Sequence, residues 1–123
     1  MLTMGVDIGS ASSKVVILKD GKDILAGVVV PVGTGTSGPT RALQQALEMA
    51  KVSKSDISKV VVTGYGRMTF KEADEQVSEI TCHAKGVHHL VPSARTIIDI
   101  GGQDAKVIKL DEHGYVTNFV MNE

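Results

Sequence analysis

The chain has 123 residues and a mass of 13.0 kDa, which is the length of one ordinary domain. Its 13 Lys and Arg residues against 14 Asp and Glu residues leave a formal charge of −1, which argues against a basic nucleic-acid surface. Apolar residues make up 42% and charged residues 22%, a composition that buries a core and excludes wholesale disorder. The chain has one cysteine, no basic-then-apolar leader and no apolar run near the ~20 residues that cross a bilayer. We therefore expect a cytoplasmic domain that binds a small molecule, and neither nucleic acid nor a membrane.

Glycine-bounded apolar runs divide the first half of the chain into predicted elements. Runs at 4–8, 14–18 and 24–32, with a Lys-Asp-Gly-Lys turn between the last two, predict three antiparallel strands. After a glycine-rich loop at 33–38, Pro39 suits the first position of a helix. The helix is marked by apolar residues at helical spacing, namely Leu43, Ala46, Leu47 and Ala50. A fourth strand is predicted at 57–63.

The second half of the chain repeats this alternation. Apolar residues at positions 77, 80, 84, 87 and 91 predict a second helix, which Pro92 closes. The runs 97–100, 105–110 and 115–121 then predict strand, turn and strand again, as at the start of the chain.

A near-repeat relates the two halves. A shift of 92 positions brings residues 7–9 onto 99–101, both with the sequence Asp-Ile-Gly, and brings Lys14 onto Lys106. The repeat has two interpretations: two similar β-hairpins without functional meaning, or one nucleotide-binding device used twice.

The second interpretation has a chemical basis. Glycine lets the backbone approach a ligand closely, and amides around the two turns can form a concavity for anionic oxygens. Asp7 and Asp99 have the wrong charge for phosphate, so their predicted role is to hold Mg²⁺ through its water shell. The candidate ligand-binding residues are Asp7, Gly9, Ser10, Ser12, Ser13 and Lys14 in the first hairpin, and Asp99, Gly101, Gly102, Gln103 and Lys106 in the second. Lys14 and Lys106 either reach phosphate or are merely exposed.

Two other phosphate motifs are absent. The loop 33–38 has Gly-x-x-x-x-Gly spacing, but Pro39-Thr40 follows it instead of Lys-Ser or Lys-Thr, so it is not a P-loop. No Gly-x-Gly-x-x-Gly follows the first strand, which argues against a dinucleotide-binding Rossmann domain.

Five segments in order resemble a known family. They are GVDIGSASSK (5–14), VGTGTSGP (32–39), TGYGR (63–67), EITCHA (79–84) and IDIGGQDAK (98–106). These segments are similar to those of the activators of (R)-2-hydroxyacyl-CoA dehydratases and the ATPase subunits of benzoyl-CoA reductase, within the actin-like ATPase superfamily. The resemblance implies an α/β, ribonuclease-H-like fold, with a mixed sheet of antiparallel hairpins and flanking helices. It also implies an ATPase that binds ATP or ADP with Mg²⁺, and that drives a low-potential electron into a partner dehydratase.

The resemblance also implies a division of the chain. Family members are roughly twice this long, so residues 1–92 correspond to the first lobe and 93–123 to the opening hairpin of the second. In the family a homodimer holds one [4Fe–4S] cluster, whose first cysteine lies beyond residue 123. Cys82 is at neither cluster position, so no cluster is expected in this chain.

Catalytic residues and alternatives complete these expectations. Gln103 and Asp104 are candidates for orienting the attacking water. One alternative function is a sugar-kinase-like phosphotransferase half, for which no candidate base stands out. Another is a non-catalytic half-lobe that dimerises to mimic the two-lobe ATPase. We expect a homodimer built through the segment 95–123, because its apolar strands leave an edge to cover.

Overall fold

The computed structural model describes residues 1–101 and 104–122. The chain divides into two compact units, Met1–Val77 and Ser78–Glu123. In the described part of the chain, no helix is both long and apolar enough to cross a membrane.

The first unit is a five-stranded mixed sheet with one helix against it. Its elements are β1 (Leu2–Ile8), β2 (Ser13–Lys19), β3 (Asp23–Val30), α1 (Gly38–Ala50), β4 (Ile57–Thr63) and β5 (Glu75–Gln76). The strand order is β3-β2-β1-β4-β5; β1, β2 and β3 pair antiparallel, whereas β4 is parallel to β1 and β5 to β4. The predicted three antiparallel strands and the added fourth strand are therefore confirmed.

Local sequence explains these elements. Asp20 and Gly21 both adopt positive φ, as the Asp-Gly turn between β2 and β3 requires. Pro39 is the second residue of α1, one position later than predicted. Alternate residues of β1, β2 and β3 pack with the apolar face of α1 to form the core of this unit. Its members include Met4, Val6, Ile8, Val15, Ile17, Val28, Val30, Ala42, Leu43, Ala46, Leu47 and Val62.

The second unit is a three-stranded antiparallel sheet with one helix. Its elements are α2 (Glu79–Leu90), β6 (Thr96–Ile100), β7 (Ala105–Leu110) and β8 (Val116–Asn122), with the strand order β6-β7-β8. Ala84 of α2 is buried with Ile108 and Leu110 of β7, and Ile80 and Ile97 pack against them.

The helix α2 groups with the second sheet. The boundary between the compact units therefore lies before α2, whereas the sequence analysis divides the chain after residue 92. The packing of Ala84 onto Ile108 and Leu110 explains the difference. The division into lobes at residue 92 refers to longer family members and stays a prediction.

Candidate functional site

The two hairpins related by the near-repeat share one backbone plan. In the first, Asp7 of β1 faces Lys14 of β2; in the second, Asp99 of β6 faces Lys106 of β7. Each turn is closed by a hydrogen bond at the same offset: the amide of Gly9 donates to the carbonyl of Ser12 over 2.9 Å, and that of Gly101 to the carbonyl of Asp104 over 2.8 Å. The sequence repeat is therefore also a repeat of strand register and of the hydrogen bond that closes each turn.

Two glycine-containing loops pack against the first turn. The amide of Thr34 donates to the Gly9 carbonyl over 3.0 Å, and the amide of Gly66 donates to the Ile8 carbonyl over 2.8 Å. These approaches depend on the absence of side chains. A Cβ at Gly33 would lie 2.3 Å from the Gly9 carbonyl oxygen, and one at Gly64 would lie 2.4 Å from the Ile8 carbonyl oxygen. The loops after β3 and β4 thus shape the surroundings of the β1–β2 turn.

The lysine of the first hairpin is accessible. The Nζ of Lys14 is 2.8 Å from the Ser12 hydroxyl and 3.5 Å from Oδ2 of Asp7, and the side chains of Lys14 and Asp7 are each 33% exposed. Ser10 is exposed. Ser13 is fully buried, and its hydroxyl donates to the Val32 carbonyl over 2.9 Å. The Ser13 hydroxyl therefore holds the loop after β3 in place, and its predicted contact with a ligand stays a prediction.

A third side chain extends this pair across the sheet. Thr63, the last residue of β4, is in parallel register with Asp7, so Lys14, Asp7 and Thr63 form a row across β2, β1 and β4. Thr63 is 9% exposed, and its hydroxyl has no hydrogen-bond partner among the described residues. Thr63 begins the segment 63–67 of the family resemblance, but no ligand-binding role was predicted for it from the sequence. Its position directly before Gly64, at the end of a strand parallel to β1, is the signal that points to it.

The second hairpin surrounds its lysine with carboxylates. Lys106 is only 2% exposed; its Nζ is 2.8 Å from Asp99, 3.4 Å from Asp104 and 3.6 Å from Glu79 of α2. Nδ1 of His83, one helical turn after Glu79, is 3.6 Å from Asp99. The contact of Glu79 and His83 with this hairpin was not predicted from the sequence, although their i, i+4 spacing places them on one helix face.

Electrostatics favour the ionised forms of both Lys106 and Asp99. Burial is the largest single influence on Lys106 and lowers its pKa, but the hydrogen bond to Asp99 and the attraction of all three carboxylates together raise the pKa above its usual value. The hydrogen bond from Lys106 lowers the pKa of Asp99; burial opposes this, and the charges of His83 and Lys106 lower it further. The second cluster has three carboxylates and one ammonium, whereas the first hairpin has one of each.

The remaining predicted residues divide into two groups. Gly101 is exposed, and Asp104 closes the second turn while also contacting Lys106. Gly102 and Gln103 lie outside the described residues. Within the described ranges 1–101 and 104–122, no group of three or more His, Cys, Asp or Glu side chains is arranged to ligate a metal ion directly.

Comparison with known proteins assigns this arrangement to a family. The model of the BadF/BadG/BcrA/BcrD ATPase family matches residues 4–123. The activator of lactoyl-CoA dehydratase from Anaerotignum propionicum is 64% identical over 123 residues, which are 100% of this chain and 48% of that protein.

Solved structures give the same result. The activator of the 2-hydroxyisocaproyl-CoA dehydratase from Clostridium difficile, with bound ADPNP, superposes with a TM-score of 0.97 at 57% identity, covering 100% of this chain and 46% of that one. The ROK hexokinase from Thermus thermophilus superposes with a TM-score of 0.65 at 17% identity, covering 95% of this chain and 48% of the hexokinase, which shows a likeness of fold alone. The predicted α/β fold of the actin-like ATPase kind is confirmed. The chain spans about half the length of the relatives that it matches, and it belongs to the BadF/BadG/BcrA/BcrD ATPase family.

Proposed function

We propose that this chain is the ATP-binding N-terminal half of an ATP-dependent electron-transfer activator of an (R)-2-hydroxyacyl-CoA dehydratase. The observation that carries the proposal is the repeated hairpin, in which an Asp-Ile-Gly strand end and a cross-strand lysine recur in one register. The presence of ADPNP in a relative that is 57% identical over this whole chain supports the same reading of the site.

The first hairpin would bind phosphate through its backbone and Lys14. Ser10 and Ala11 in the turn are exposed, and the ammonium of Lys14 is partly exposed in the same hairpin, so the amides of these two residues and the ammonium would be the donors to phosphate. Glycines at 33 and 64 keep side chains out of this region. Anionic oxygens would therefore meet donors here without displacing a side chain.

The aspartate of each hairpin, Asp7 in the first and Asp99 in the second, would serve to hold hydrated Mg²⁺. Asp7 fits such an ion because its carboxylate lies beside the close approach of Gly64, and because Thr63, its partner in the strand register, has a hydroxyl without a hydrogen-bond partner among the described residues. When bound, Mg²⁺ supplies positive charge that offsets the charge of the phosphate oxygens. In either hairpin the carboxylate would accept hydrogen bonds from the waters of the ion, since Mg²⁺ retains several waters in sites of this kind.

Residues at the second turn would serve hydrolysis. We assign Asp104, together with Gln103, to the orientation of the attacking water. The contact between Asp104 and the ammonium of Lys106 at 3.4 Å keeps that carboxylate anchored to the turn. Lys106 itself is enclosed, so its role would be to fix Asp99 and Asp104, and its predicted contact with phosphate stays a prediction.

Three further parts complete the proposal. The partner would be a 2-hydroxyacyl-CoA dehydratase, because the relatives are named as activators of such enzymes. The activator would work as a cytoplasmic homodimer. Cys82, half-buried on α2, would not ligate the iron–sulfur cluster that the resemblance implies.

Substitution of the aspartates tests nucleotide binding. Titration of ¹⁵N-labelled chain with Mg-ATP, followed by NMR, suits the weak affinity expected of half a site, near ~1 mM. We expect Asp7→Asn and Asp99→Asn each to weaken binding, while Asp23→Asn, at the opposite end of the sheet, leaves it unchanged. Equal affinity of all four chains would reject the hairpins as the nucleotide site.

Solution mass separates the alternatives. A dimer that binds ATP agrees with the proposal, whereas a dimer without ATP affinity favours the non-catalytic half-lobe. The sugar-kinase alternative draws only on likeness of fold. Phosphoryl transfer from ATP to a hexose in the presence of this chain would revive it.

A further inference from the structure

We propose that Thr63 is a ligand-binding residue of the first hairpin, whose hydroxyl, together with Oδ1 of Asp7, binds a water of the hydrated cation that accompanies the phosphates. The assignment deepens the proposed function and rests on it.

The register of β1 and β4 places the two side chains together. Asp7 and Thr63 are direct partners in the parallel pair. Residues 4, 6 and 8 of β1 are buried in the core with α1, so Asp7 lies on the opposite face, and Thr63 shares that face with it. Lys14 stands on the other side of Asp7, on β2. Thr63 is therefore the neighbour of Asp7 on the β4 side of the row.

The two oxygens of Asp7 face different neighbours. Oδ2 is 3.5 Å from the ammonium of Lys14. Oδ1 lies toward β4, because a Cβ built on Gly64 would come within 2.5 Å of it. Gly64 has a φ of +100°, which is a conformation that favours glycine, and this lets the chain turn tightly past the carboxylate. Oδ1 and the Thr63 hydroxyl are therefore on the same side of the aspartate.

The hydroxyl of Thr63 differs from its neighbours in having no partner. Ser13 donates to Val32, Thr36 to Gly33 and Thr69 to Gly66, each over 2.6 to 2.9 Å. These three hydroxyls stabilise the loops that surround the first turn. Thr63 is as buried as a structural residue, yet its Oγ1 contacts no hydrogen-bonding atom among the described residues. A buried hydroxyl without a partner costs free energy, so its retention beside an aspartate points to a ligand that completes it.

Two variants at position 63 isolate the hydroxyl. Thr63→Val keeps the shape of the side chain and removes the hydroxyl, whereas Thr63→Ser keeps the hydroxyl. Each full chain is titrated with Mg-ATP, and with ATP in the presence of EDTA, and its melting temperature without ligand is measured. The control is Thr3→Val, on the same face of β1.

We expect Thr63→Val to weaken binding of Mg-ATP about tenfold and to leave binding of metal-free ATP unchanged. Thr63→Ser and Thr3→Val should bind Mg-ATP as the wild type does. Because the hydroxyl has no partner in the free chain, the melting temperature of Thr63→Val should equal or exceed that of the wild type.

Each other result overturns the assignment. Unchanged Mg-ATP affinity of Thr63→Val would refute it while leaving the proposed function intact. Equal weakening with and without Mg²⁺ would show that the hydroxyl does not act through the hydrated cation. A lower melting temperature would make Thr63 a structural residue. A wild-type chain that binds no Mg-ATP would reject the proposed function, and this assignment with it.

Discussion

Lys14 and Lys106 occupy the same position in their hairpins but have different surroundings. Lys14 is one-third exposed and contacts one serine and one aspartate. Lys106 is almost fully buried, and three carboxylates lie within 3.6 Å of its ammonium. The ammonium of Lys14 can therefore exchange its partners at little cost in free energy. Removal of the ammonium of Lys106 leaves three carboxylates without their counter-charge.

Substitution of each lysine by methionine should show this difference. We expect Lys106→Met to destabilise the second unit by about 2 kcal/mol, because Asp99 and its neighbours lose their counter-ion. Lys14→Met should cost less than about 1 kcal/mol, since its pair is solvent-screened. Hydrogen exchange of the β7 and β2 amides measures the two units separately. Equal effects of the two substitutions would contradict the burial of Lys106.

The stability of the second unit should depend on acid pH through Asp99. Lys106, and then His83, hold the pKa of this carboxyl below its ordinary value, against the opposing effect of burial. Its unfolded pKa is about 3.9, so the stabilisation is present above that pH and is lost as the pH falls through the lower folded pKa. Asp111 behaves alike, because it accepts hydrogen bonds from the amides of Tyr115 and His113.

Thermal unfolding followed by circular dichroism tests this pH dependence. Between about pH 5 and 2 we expect Asp99→Asn to reduce the slope of stability against pH, and the double variant with Asp111→Asn to reduce it further. An unchanged slope in Asp99→Asn would mean that Lys106 does not stabilise the ionised carboxylate.

At the scale of elements, the first turn depends on glycines that are distant in sequence. Gly33, in the loop after β3, lies against the turn closed by Gly9 and Ser12. Only glycine fits at this position, because an added Cβ would lie 2.3 Å from the carbonyl oxygen of Gly9 and 2.5 Å from that of Ser10. The positions of the Gly9 and Ser10 carbonyl groups therefore depend on the loop after β3 as well as on the turn itself.

Alanine at Gly33 should displace this turn. We expect Gly33→Ala to lower stability by about 2 kcal/mol and to weaken Mg-ATP binding, because backbone atoms must move to admit the methyl group. Gly5→Ala is the matched control, since no atom lies within 4 Å of its added Cβ. Chemical denaturation and the Mg-ATP titration measure both effects. Similar losses in the two variants would show that space at Gly33 is not what matters.

The sequence predicts the strands well and their long-range surroundings poorly. β-branched runs around an Asp-Gly turn suffice for β1 to β3, and the shift of 92 positions predicts the equivalence of Asp7 with Asp99. The position of Thr63 beside Asp7 was not predicted, because the register of parallel strands is set by tertiary packing, which no local pattern encodes. The burial of Lys106 was missed for a similar reason, because it depends on the helix α2 bringing Glu79 to the hairpin.

Very short elements also escape sequence analysis. β5 has only two residues, and it pairs with Val61 and Val62 of β4. Asp74, just before it, accepts a hydrogen bond from the Val60 amide over 2.7 Å. A strand with two residue pairs and one side-chain hydrogen bond is too short to show the alternation of apolar and polar residues by which strands are predicted.

At the scale of the whole molecule, the second sheet exposes apolar residues on β8. Phe119 is 51% exposed and Val120 64%, and β8 is the last strand of its sheet. Its outer backbone groups therefore form an edge available to another strand. If β8 pairs antiparallel with β8 of a second copy, the outer backbone groups of both strands form hydrogen bonds, and the two copies are related by a two-fold axis.

We therefore predict a homodimer paired through β8. Light scattering should give about twice the 13.0 kDa mass of the chain at micromolar concentration. Val120→Lys should shift the chain to monomer, because lysine on an edge strand opposes pairing, while Glu112→Lys in the preceding turn should not. A monomeric wild type with β8 amides protected from hydrogen exchange would reject this dimer.

The unequal charge of the two hairpins bears on the order in which ligands arrive. A free phosphate group that approaches the second hairpin meets three carboxylates around a lysine it cannot reach, whereas the first hairpin offers an accessible ammonium. The first hairpin would therefore accept the anion directly, whereas phosphate binding at the second hairpin, which the sequence predicts, would require a cation to be bound there first. Two hairpins with the same strand register would then bind their ligands one after the other. Binding at the second hairpin would depend on whether the nucleotide arrives with its metal ion.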